Sequence, residues 1–125
     1  MLGCGDCFLA GEDEDEKLHL RIVVTPPTPD GCVVTASVTT RRRHSETLLI
    51  LQPGDHPFIR HESTVSYRYS ELAWVHEIEA AIASGNARRR EPISAHLLKR
   101  VQDGLLDSDF TPNGVRQFAK EILGR

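Results

Sequence analysis

Two stretches, "LHLRIVVT" at residues 18–25 and "CVVTASVTT" at residues 32–40, alternate in hydropathy with a period of two. Successive side chains of a strand point to opposite faces, so the alternation predicts two strands, each with one face on a core. In the first, Leu18, Leu20, Ile22 and Val24 point inward, and His19, Arg21 and Thr25 outward. In the second, Cys32, Val34, Ala36 and Val38 point inward, and Thr35, Ser37 and Thr39 outward. The break "PPTPDG" between them is turn chemistry. If the two strands are neighbours, His19, Arg21, Thr35, Ser37 and Thr39 share one polar, solvated side of a sheet. "DCFLA" reads as a short strand before them. "ETLLILQ", apolar on both faces, reads as a covered strand after them, and "ELAWVHEI" as a last strand entering a helix.

Beyond residue 75 the pattern becomes helical. Ile78 and Ile82 recur at i, i+4, and Gly85 suits the position just past a helix end. Leu97, Leu98, Val101 and Leu105 form a second stripe, with Ser94 as its N-cap. Val115, Phe118, Ala119 and Ile122 form a third, opened by "TP" with proline at the first helical position. Strands first and helices afterwards indicate an α+β fold rather than a wound parallel sheet. The length of 125 residues fits one domain. Residues 1–75 are then mainly strands and 76–125 mainly helices, with roughly five short strands in a small antiparallel barrel or curled sheet.

The net charge of −3 conceals an uneven distribution. Residues 12–16, "EDEDE", hold five like charges, which repel and cannot be buried, so an exposed loop tip is expected. Without those five charges the net −3 becomes +2. "RRRH" at residues 41–44 and "RRR" at 88–90 are basic clusters, read either as solvated loop charge or as phosphate contacts. No apolar run approaches the roughly 20 residues of a membrane span. "MLGCGDCFLA" lacks a basic start and a long apolar stretch, so no signal peptide is expected and a cytoplasmic location is. Three cysteines, an odd number, do not suggest a disulfide framework. Cys4 and Cys7 have C-x-x-C spacing, but only Cys32 is left to join them as a thiolate, one short of a four-thiolate site. No metal and no cofactor are expected.

"QPGDHPFIRHESTVSY", residues 52–67, reads as a loop dense in reactive groups. His56 and His61 are five apart, a spacing that gives no shared chelating face on a strand or a helix. Acid–base work requires only hydrogen-bond reach of one reacting centre, so either histidine can serve. The structural alternative is a tied turn, with Asp55 and Pro57 fixing the backbone and Phe58 and Ile59 anchoring it.

Taken in order, Gly5-Asp6, "HLRIVVTPP", a strand ending "VTT", an apolar strand, "LAWVHEIE" and a helix near "EPISAHLL" resemble the PemK/MazF-like toxins of toxin–antitoxin pairs. The likeness spans roughly residues 5–106 and rests on short motifs. It implies a small SH3-like, CcdB/PemK-like β-barrel with helices, usually a homodimer, and a protein antitoxin as partner. It also implies metal-independent cleavage of single-stranded RNA through the substrate's own 2′-hydroxyl, which DNA lacks. Thr39 or Thr40 matches the family's hydroxyl position. A gapless match puts Leu20 where the family has arginine, and Arg21 follows one residue later. The candidate catalytic groups are therefore Arg21, Thr39, Thr40, His56 and His61, with Arg41, Arg42, Arg43 and Arg60 as substrate contacts. The alternative function is a non-catalytic barrel that binds a protein or nucleic acid.

Overall fold

The computed structural model describes residues 1–11 and 18–125. The acidic run expected as a loop tip lies outside the described residues. Among the described residues, six strands, β1 (Cys7–Gly11), β2 (Leu18–Val23), β3 (Cys32–Thr40), β4 (Ile50–Leu51), β5 (Ser63–Trp74) and β6 (Ala87–Arg90), form one curled antiparallel sheet in the order β4-β5-β3-β2-β1-β6. The described residues also form three helices: α1 (Val75–Ser84), α2 (Ala95–Asp107) and α3 (Asn113–Leu123). This is the α+β architecture that the order of patterns predicts, with one strand more than expected. Among the described residues no helix is long and apolar enough to cross a membrane.

The period-two pattern sorts the sheet into two faces. Leu9, Leu20, Ile22, Val34, Ala36, Val38 and Val65 line an inner face covered by Leu97, Val101 and Leu105 of α2 and by Val115 and Ala119 of α3. Phe8, Val23 and Val33 line the outer face, where α1 lays Val75 and Ile78 over them. Burying both faces explains why β3 has almost no exposed residue. It also corrects one expectation: Thr35 and Ser37, read as solvated, are buried on the outer face. Leu18 departs in the opposite sense and is exposed.

Helix ends follow local chemistry. Gly85 closes α1 at φ 86°, a left-handed geometry that favours glycine. The Ser94 hydroxyl caps α2 by accepting from the Leu97 N–H at 3.1 Å. At α3 the expected start shifts by one residue, because Pro112 itself is the N-cap and no side chain caps it. The Thr111 hydroxyl is buried without a hydrogen bond among the described residues. The Arg116 guanidinium donates instead to the Ser108 carbonyl and, at 3.2 Å, to that of Thr111.

Two further strands depart from the sequence pattern. "ETLLILQ" forms only the two-residue β4, and Leu48 stays exposed. The arginines at 88–90 lie in β6, which among the described residues pairs with β1 alone. An edge strand has one open side and accepts charged residues, which also protect it from adventitious pairing.

Candidate active site

The open end of the curl holds a cleft of about 840 Å³. The C-terminal end of β3 contributes Val38, Thr39 and Thr40, and the start of β2 contributes Leu18 and His19. The loop after β4 supplies the run from Pro57 to His61, and Arg42, Ser45, Ser63 and Arg90 also line the cleft. Among the described residues, no aspartate or glutamate lines it. Among the described residues, neither Arg42 nor Arg60 is in an ion pair, and no side chain hydrogen-bonds the ring of His61. The cleft therefore presents guanidinium, imidazole and hydroxyl groups over an apolar floor, a chemistry suited to an anionic ligand with flat apolar parts.

Five of the nine sequence candidates meet here: Thr39, Thr40, Arg42, Arg60 and His61. Thr39 is the most constrained, since its hydroxyl pairs with those of Ser66 at 3.1 Å and Thr64 at 3.5 Å on the outer face. The other four lie elsewhere. Arg41 is spent on Glu62, whose carboxyl it holds below the usual range with help from Gln52. Arg43 is exposed and outside the cleft lining.

Arg21 sits opposite Ser37 on the outer face, with Nη1 3.0 Å from Glu71. The β2–β3 register runs without interruption from Leu20↔Val38 to Val23↔Thr35, so no bulge turns Arg21 inward. It shares a face with Thr39, as alternation predicts, but does not line the cleft.

His56 is buried at 2% exposure, beneath the cleft wall rather than on it. Its Nδ1 accepts from the Phe58 N–H at 3.0 Å, so Nε2 carries the proton and donates to the Glu91 carbonyl at 2.6 Å. This is the tied-turn alternative: Ile59 anchors in the core, and Asp55 accepts from the Gln52 N–H at 2.7 Å. The tie is a longer-range one than local turn chemistry supplies. The quoted loop is also shorter than it reads, because β5 begins at Ser63.

Sequence reasoning missed His19 and Arg90 as cleft residues. His19 was legible as the outward neighbour of Leu20, but its position at the mouth depends on where β2 begins. The cysteines take no part. Burial pushes the Cys7 thiol up to about 12 and also raises Cys4, so neither is poised as a thiolate. Among the described residues, no group of three His, Cys, Asp or Glu side chains is placed to hold a metal ion.

No protein-family model matches the chain, and no curated protein matches it in sequence.

Proposed function

We propose that the chain is a metal-independent endoribonuclease of the PemK/MazF-like kind, acting on single-stranded RNA in this cleft. The observation that carries the reading is the convergence of His61, Thr40 and the guanidinium groups of Arg42 and Arg60 on one cleft, whose lining includes no carboxylate among the described residues. The substrate 2′-hydroxyl attacks the adjacent phosphorus, the P–O5′ bond breaks, and a 2′,3′-cyclic phosphate and a 5′-hydroxyl result. Imidazole is the side chain that titrates near neutrality, and the cleft lining has two, His19 and His61. One takes the 2′-hydroxyl proton and the other protonates O5′. Arg42 and Arg60 offset the charge that builds on the phosphorane oxygens, and Thr40 donates a hydrogen bond to them. Phe58 and Leu18 offer the flanking bases an apolar surface.

On this reading the curled sheet is an SH3-like, CcdB/PemK-like barrel left open at one end. The same resemblance implies a homodimer with a protein antitoxin, and the sequence pattern at residues 1–10 is that of a cytoplasmic chain. A second reading, a non-catalytic module for a protein or nucleic acid, is favoured by Arg21, which faces Glu71 on the outer side instead of entering the cleft.

The test is incubation of purified protein with single-stranded RNA in EDTA. Cleavage to 2′,3′-cyclic phosphate ends is expected, and His61→Ala should slow it by about 10²–10⁴-fold. RNA bound but left intact, with or without EDTA, establishes the module instead. Cleavage unaffected by His61→Ala, or lost on adding EDTA, overturns the mechanism.

A further inference from the structure

The strands β4 and β6 stand at opposite ends of the sheet order and do not pair with each other. Yet the segments that follow them touch. His56, five residues past β4, donates to the carbonyl of Glu91, the residue after β6. Beside this bond the Arg90 guanidinium lies over the Phe58 ring, 5.4 Å from its centroid. The curl has brought the two ends of the sheet together, and an imidazole bridges them where a closed barrel would have a strand ladder.

Both sides of this bridge are anchored. Arg90 pairs with Cys7 in the ladder, and the Ile93 N–H donates to the Gly5 carbonyl at 3.0 Å, so the Glu91 carbonyl is held from both directions. On the loop side, the Ile59 N–H donates to the His56 carbonyl at 2.9 Å, and Ile59 is buried in the inner core. Arg60 and His61 emerge directly from that anchor.

We propose that His56 is a positioning residue: it clasps the two edges of the sheet together and thereby sets the cleft wall that carries Phe58, Arg60 and His61. Few side chains can fill this place. Nδ1 must accept from an amide two residues ahead while Nε2 donates across the gap, which requires an acceptor and a donor on opposite sides of one rigid ring. Alanine supplies neither. Asparagine can supply the near acceptor, as in an Asx turn, but is too short for Glu91. Glutamine can reach towards Glu91 as a donor but lacks the rigid second contact. The clasp is local, so its loss should open the loop without melting the sheet.

The inference goes beyond RNA cleavage and does not depend on it, and its test uses nuclear magnetic resonance on the intact chain. In the wild type, the His56 ring nitrogens should show a bare Nδ1 and a protonated Nε2. In His56→Ala the Phe58 amide should exchange at least about tenfold faster, while the Leu20, Ile22 and Ala36 amides keep their protection. Amide shifts should move in two separated places, residues 56–61 and 90–91. His56→Asn should restore Phe58 protection but leave the 90–91 shifts displaced, and His56→Gln should do the reverse. Uniform loss of protection across the sheet, or shifts at 90–91 that match wild type in all three variants, overturns the proposal. Should His56→Ala fail to fold, the Asn and Gln pair decides the matter alone.

Discussion

The phenol of Tyr67 penetrates to the backbone of α2, where it donates to the Val101 carbonyl at 3.1 Å. Two other facts follow from that bond. Burial raises the Tyr67 pKa, with Glu46 adding to the effect, so the phenol stays a donor. The ring also lies where a Cβ on Gly104 would be, which makes glycine necessary in the middle of a helix it otherwise weakens. Gly104→Ala gains helix propensity but drives a methyl into a fixed ring, and overpacking of this kind costs about 1–3 kcal/mol. Urea unfolding should show the loss. A double variant, Gly104→Ala with Tyr67→Phe, should recover little, because it is the ring as well as the hydroxyl that occupies the space. Full stability of Gly104→Ala would mean that the ring can move aside.

At the scale of elements, β5 shows how a buried side chain can take the place of a strand. Ser66 faces Ser37 and Glu71 faces Thr35, so residues 67–70 of β5 oppose a single residue of β3. The short β4 ends before this bulge, and the exposed edge is met by a carboxylate. Glu46 accepts from the Tyr67 N–H at 3.2 Å and the Arg68 N–H at 3.1 Å, with Arg68 Nε 3.7 Å away. Glu46→Ala orphans two backbone donors and should cost about 1–3 kcal/mol in a urea titration. Glu46→Gln keeps one acceptor and should cost less; equal losses would show that charge, not acceptor geometry, matters. This element also marks the limit of what the sequence discloses. The alternation that defines β3 at Cys32–Thr40 is local, as is the Ser94 cap of α2, and both are legible. The break in β4 is not legible, because it depends on Glu46 meeting a bulge 21 residues away. The same holds for β6, whose arginines are strand residues only because β1 has a free edge. It holds again for the cleft: the candidates Thr40, Arg60 and His61 are visible by residue type, whereas the role of His56 is set by a carbonyl 35 residues on.

The whole molecule is a sheet with cores on both faces, and groups deep in the inner core link its stability to pH. Cys7 and Tyr67 both belong to that inner core. An unfolded thiol titrates near 9.0, and burial lifts the folded one to about 12. Between those values the unfolded chain releases a proton that the folded chain keeps, so ionisation draws the equilibrium towards unfolding. The contribution is fully present below pH 9 and is lost as pH rises towards 12. Each such group lowers stability by up to about 1.4 kcal/mol per pH unit over its window. Tyr67 adds a similar loss beginning near its ordinary value of 10.0. Urea midpoints should therefore hold steady from pH 7 to 8.5 and fall steeply above 9. Cys7→Ala costs some packing at every pH but removes one alkaline term, leaving that of Tyr67 and those of Cys4 and Cys32, whose thiols burial also raises. Its midpoint should start lower and then fall less steeply between pH 9 and 10, where the thiol acts before the phenol. Parallel curves for the variant and the wild type would show that the Cys7 thiol ionises without opening the inner core, and would place the alkaline weakness in Tyr67 and the other two thiols.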